Sequence, residues 1–138
     1  MSALNAVMLI LQSDAHVASK VGPRRFVRVL PQQTSMPALV LHLAYENDAR
    51  FLLGSCRYPV ATFVIDCVSD HYAEADDLGE RVKAALIDYQ GNVTGFRVDD
   101  IGHDGIDETD RGETGEHWRR RLSFAMRYRV AEPGHGFL

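Results

Sequence analysis

No apolar run in this 138-residue chain approaches the ~20 residues that cross a bilayer. The apolar N-terminus, Met1 to Gln12, lacks the positive start and small-residue cleavage site of a signal peptide. Cysteine is scarce: Cys56 and Cys67 are the only two. Cys67 alternates with Ala61, Phe63 and Ile65 and reads as a core thiol. A bridge to Cys56 is disfavoured, because along one extended strand the two lie too far apart. This cysteine usage fits synthesis in a reducing cytoplasm. No strong charge of one sign is present: the net charge is −4, which gives no basis for bulk nucleic-acid binding. No internal repeat is found.

Signatures of chemistry are missing as well. None of the six histidines (His16, His42, His71, His103, His117 and His135) forms an H-x-x-x-H or H-E-x-x-H pair, so nothing gathers the ligands of a zinc site. There is no G-x-S-x-G elbow and no cysteine beside a base. The acidic stretch 102–116 (GHDGIDETDRGETGE) lacks the ligand spacing of a calcium loop. Its glycines Gly102, Gly105, Gly112 and Gly115 open no strand-to-helix turn that could cradle phosphate. No catalytic, cofactor-binding or metal-binding residue is therefore expected. The competing class is a small cytoplasmic α+β enzyme or ligand-binding module, which would show itself as a closed apolar pocket with converging polar groups.

What the chain does carry is period-two patterning at its end. From His117 to Val130, Trp118, Arg120, Leu122, Phe124, Met126, Tyr128 and Val130 occupy one set of positions. Arg119, Arg121, Ser123, Ala125, Arg127 and Arg129 occupy the other. That is a β-strand with one buried and one basic face. Thirteen extended residues span about 43 Å, whereas a compact domain of this length is about 37 Å across. The strand is expected to overhang its own domain, as a subunit of an assembly would.

Elsewhere, residues 2–19 read as a helix, broken near Ser13–Asp14 and ended by Gly22-Pro23. Phe26 to Leu30 reads as a short strand flanked by Arg24, Arg25 and Arg28, and Pro31 to Pro37 as a loop. Strands follow over Ala38–Tyr45 and Arg57–Val68, with a connection over 46–56. Ser69-Asp70 then caps a helix whose stripe runs from Tyr72 to Tyr89, ended by Gly91. Gly79 inside that helix costs about 1 kcal/mol relative to Ala, which close packing on the sheet would explain. Val93 to Ile101 reads as a strand with a bulge at Asp99-Asp100. Residues 102–116 read as a mobile hairpin tip, and 131–138 as a flexible tail. The predicted fold is one α+β domain over residues 1–130. It has an antiparallel-dominated sheet of about four to five strands, two helices on one face, and the arginines on the other.

The order and spacing of these segments resemble a known family. Val21-Gly22-x-Arg24-Arg25-Phe26, then Pro31-Gln32 and Pro37-Ala38 leading into an aliphatic strand, is similar to the opening of the tail-completion (tail terminator-like) proteins of long-tailed bacteriophages and prophages. The strand ending Val64-x-Asp66-x-Val68 agrees, as do the Tyr72–Leu86 helix and the closing Tyr128-Arg129-Val130. The resemblance covers roughly residues 3–130. It implies a virion protein without catalytic residues or cofactor. Such a protein forms a ring, usually a hexamer, on the head-proximal end of the tail. It meets the tail tube protein and the head connector, and DNA passes through its lumen without sequence-specific binding. No membrane is involved. The alternation and length of the last strand set three readings of Arg119, Arg121, Arg127 and Arg129 side by side, a solvated outer face, a contact with a neighbouring subunit, or the lumen, and the interface is the expectation taken forward. Asp99, Asp100, Asp104, Asp107, Glu108 and Asp110 are their acidic partners.

Overall fold

The computed structural model describes residues 3–47, 60–93, 95–111 and 115–130. The 48–56 connection, Cys56, the start of the strand expected from Arg57, and the tail 131–138 lie outside them. Among the described residues the chain forms three helices and six strands: α1 (Ala3–Ser13), α2 (Ala15–Val21), β1 (Arg25–Val27), β2 (Ala38–Asn47), β3 (Val60–Ser69), α3 (Tyr72–Leu86), β4 (Gly91–Val93), β5 (Phe96–Asp110) and β6 (Trp118–Val130). The α+β class holds, with one helix and at least one strand more than expected. The extra helix comes from the break at Asp14. Its carboxylate accepts the Val17 N–H at 3.0 Å and so starts α2 as a separate helix.

One sheet runs in the order β1-β2-β3-β6-β5-β4, antiparallel throughout except for the parallel β1–β2 pair. The helices pack on one face. Leu39, Leu41, Phe63, Ile65, Leu122, Phe124 and Met126 are buried there with Val7, Leu11, Leu78, Val82 and Leu86 of the helices. Phe63 and Phe124 stack across β3 and β6 at 5.5 Å. The alternation in β6 therefore works as read: its apolar set is core and its arginine set lies on the open face.

Several expectations are corrected. First, residues 102–110 are not a loop; β5 continues to Asp110. Asp and Gly are poor strand formers. The register overrides this by placing Asp100, Glu108 and Asp110 directly opposite Arg127, Arg121 and Arg119. Second, β6 does not overhang. It is a central strand, flanked by β3 from Trp118 to Arg127 and by β5 from Arg119 to Val130, so the sheet is as long as the strand. Third, α3 is preceded by His71, which makes no side-chain cap bond, while Ser69 belongs to β3. Its hydroxyl accepts the His71 N–H at 3.2 Å and donates to Glu74 at 2.5 Å. Fourth, α3 ends at Leu86, before Gly91, where Asp88 turns into the left-handed region at φ 64° and donates its N–H to the Ile101 carbonyl. The expected strand 93–101 is two strands, folded back at Gly95 (φ 86°). The bulge expected at Asp99-Asp100 is there, as a register shift between Val98 and Asp100.

Candidate functional site

Charge in this molecule is arranged on both sides of β6. On the helix side, Arg120 comes up among core residues and is only 7% exposed. A buried guanidinium needs partners for its donors. It forks onto Asp107, Nε to Oδ1 and Nη2 to Oδ2 at 2.9 Å each, and donates to the Asp76 carbonyl at 2.8 Å. Asp76, Glu80 and Lys83 of α3 complete the cluster, with Lys83 3.5 Å from Asp107. Hydrogen bonding from Arg120 holds the Asp107 carboxyl below its ordinary range, and the same bonds hold Arg120 firmly protonated. Gly79 is required here: a Cβ on it would stand 2.5 Å from Arg120 Cδ. The sequence placed Arg120 on the buried face but gave no sign of this network.

On the open face, Asp66 is the organising group. It sits in a row of valines on β3, is 5% exposed, and lies opposite Arg121 in register. Arg121 forks onto it (Nε–Oδ1 2.7 Å, Nη2–Oδ2 3.0 Å), and His42 Nε2 approaches Oδ2 at 3.2 Å. Bonding to Asp66 raises the affinity of Arg121 for its proton. Arg119 bonds Asp110 at 3.2 Å, and Arg129 bonds Asp99 at 2.9 Å. Three of the four arginines expected to face a neighbour are thus paired within the chain. Arg127 is exposed, and neither it nor Asp100, Asp104 or Glu108 forms an ion pair within 4 Å with another described residue, although Asp100 stands opposite Arg127 and Glu108 opposite Arg121.

Asp104 lies in a bulge. The register shifts between His103 and Asp107, so residues 104–106 project from the ladder around Gly105 (φ 90°). Ser123 braces it by accepting the Ile106 N–H at 2.8 Å and donating to the Asp104 carbonyl. His103 Nε2 donates to the Ile106 carbonyl at 3.0 Å.

A concavity of about 480 Å³ opens on this face between the β1–β2 connection and β6. Val40 and Val68 form its floor, and Arg28, His42, Arg119 and Arg121 its wall. His42 and Asp66 are near one another, but Arg121 already saturates the carboxylate and no hydroxyl or thiol stands by as a nucleophile. The sole described cysteine, Cys67, is buried on the opposite face, where desolvation pushes its thiol far up. Among the described residues no three His, Cys, Asp or Glu side chains cluster as a metal site requires.

Asp66 and His42 are the site residues that sequence reasoning did not gather. The available signal was one acid in a row of valines, Val64-x-Asp66-x-Val68, and only the β3–β6 register shows what it is for.

The fold is an α+β sheet with helices on one face, and its polar groups hold strands together and line an open surface. The chain belongs to the tail completion protein gp17 family, whose model matches residues 5–129. It is accordingly a phage tail structural protein. No curated protein matches it. Among solved structures it is similar to a chain in the virion of a native gene transfer agent particle, with a TM-score of 0.76 at 24% identity over 93% of this chain and 95% of that one. A second solved chain matches at a TM-score of 0.57 and 12% identity, over 96% of this chain and 99% of the other. At these identities the likeness is one of fold.

Proposed function

We propose that the chain is a tail terminator or head–tail joining subunit. Copies form a ring, a hexamer on the tail, that caps the tube at its head-proximal end and receives the head connector. The observation that carries this reading is the family match over nearly the whole chain, residues 5–129. The gene transfer agent particle, whose virion holds a chain of this fold, supports it. The subunit acts by surfaces and has no catalytic step.

In this reading the arginine face looks toward a neighbour or the lumen. With Arg119, Arg121 and Arg129 neutralised by Asp110, Asp66 and Asp99, it presents charge of both signs. DNA would meet no continuous cationic track there, which suits passage rather than capture. Exposed ion pairs are individually worth about 0–1 kcal/mol, so this face sets local geometry more than affinity.

The test is to add the purified protein to purified tail tubes and image the ends by negative-stain electron microscopy, with the mass of the free protein measured by light scattering. Capped ends carrying a ring are expected. Bare ends at saturating protein would overturn the assignment.

A further inference from the structure

The sheet has two outer edges, and they carry opposite charge. At one edge lies β1. Arg25 in it and Arg24 and Arg28 on either side have no carboxylate partner within 4 Å among the described residues. Arg24 donates to the Pro37 and Lys20 carbonyls and Arg25 to the Gly22 carbonyl, bonds that fix the side chains and leave the charge uncompensated. At the other edge lies the outer part of β5, beyond the three residues that β4 covers. Asp100, Asp104 and Glu108 stand along it with no ion pair within 4 Å among the described residues, Asp100 and Glu108 lying opposite Arg127 and Arg121 in register.

Exposed apolar groups fall on the same two edges. Among the described residues four large apolar side chains are exposed: Val27, Val29, Tyr72 and Ile106. Val27 (43%) and Val29 (68%) flank Arg28 on the β1 side; Ile106 (42%) crowns the β5 bulge beside Asp104. Scattered apolar groups mean little. Three of four at two opposite edges, each set among charges of one sign, make a complementary pair.

We infer that neighbouring copies of this chain join edge to edge, the β1 edge of one (Arg25, Val27, Arg28, Val29) against the β5 edge of the next (Asp100, Asp104, Ile106, Glu108). The inference rests on the ring reading and names its contact. Two different surfaces meeting make a heterologous interface, the kind that closes into a ring. The contact is between side chains and not an added strand. The outward Arg25 N–H is taken by the Pro23 carbonyl and the Val27 carbonyl by the Val29 N–H, each at 2.8 Å, so little of the β1 backbone is left to pair. Charge selects the partner edge and the apolar groups between supply attraction.

The experiment is a charge swap read by mass. Variant one carries Arg25→Glu with Arg28→Glu, making both its edges acidic. Variant two carries Asp104→Arg with Glu108→Arg, making both basic. Arg28, Asp104 and Glu108 are exposed and Arg25 is half-buried, and circular dichroism with thermal melts checks that each variant folds. Each variant alone should lose self-association, or capping of tail tubes where assembly needs the tube, by more than roughly tenfold. Mixed one to one, the two should recover it, as should one chain carrying all four changes. Variants that assemble like the wild type would overturn the edge contact while leaving the ring standing. Loss without recovery on mixing would overturn head-to-tail pairing of these edges. A wild-type protein that neither oligomerises nor caps tubes would overturn the ring reading itself.

Discussion

Adding one methyl group to Gly79 tests the physics of the helix-side cluster. In a helix Ala is favoured over Gly by about 1 kcal/mol. Here the new Cβ would stand 2.5 Å from Cδ, 2.9 Å from Nη1 and 3.0 Å from Nε of Arg120. Those atoms are not the loose end of a surface side chain, because two carboxylate oxygens and a carbonyl hold the guanidinium. Restoring ordinary contact at about 3.5–4 Å requires Arg120 to move by roughly 1 Å, which breaks one or two of its bonds. Hydrogen bonds to charged groups are worth about 1.5–3 kcal/mol each, and the half-exposed acids here favour the lower end. Gly79→Ala should therefore destabilise the protein by about 1–3 kcal/mol, against its helix propensity. With Arg120→Ala in place the obstacle is gone, and the same change should stabilise by about 1 kcal/mol. Urea unfolding of the four proteins, followed by circular dichroism, gives the cycle. A coupling below about 0.5 kcal/mol, with Gly79→Ala stabilising in both backgrounds, would refute the argument.

The other predictions follow from the same contacts. Asp66→Asn keeps the shape but weakens the Arg121 fork and the His42 contact; it should lower stability by about 1–2 kcal/mol, while Asn at exposed, unpaired Asp100 stays within about 0.5 kcal/mol, both read from thermal melts. The Asp107 carboxyl is held below the ordinary 3.8, so its contribution is full above that pH and is lost as pH falls through the lower folded value. Asp107→Asn should flatten the loss of stability below about pH 4, and parallel acid limbs for the two proteins would count against it. Phe124→Ala, removing a fully buried ring stacked on Phe63, should cost about 3–5 kcal/mol in chemical denaturation. In a Cys56→Ser background, Cys67 should react with a thiol reagent at pH 8 only as fast as the protein unfolds; prompt labelling of the native protein would contradict its burial.

Local periodicity made the long elements legible. The alternation in β6 gave its buried face residue by residue, and the Tyr72, Ala75, Leu78, Val82, Leu86 stripe gave α3, because both signals depend on near neighbours in sequence. What depends on a distant partner was not legible. Residues 102–110 look like a loop by composition, and they form a strand because arginines of β6 stand opposite their acids. Asp66 looks like one polar residue among valines until β3 is set beside β6. The reason for Gly79 lies on another element, at Arg120. The expected acid–arginine partnership was read at the level of chemistry, but alternation cannot say whether the partner belongs to the same chain. The geometry places Arg119, Arg121 and Arg129 on acids of their own subunit.

The position of β6 also bears on how the subunit is made. The last strand in sequence is inserted between β3 and β5, not added at a margin. Without β6, β1-β2-β3 and β4-β5 share no hydrogen-bonded neighbour, and Phe63, Ile65 and Ile101 lose the Leu122, Phe124 and Met126 side chains of their cluster. A polypeptide truncated before residue 118 has neither a joined sheet nor a closed core. The last thirteen residues of the sheet are thus the seam on which both halves of the core close.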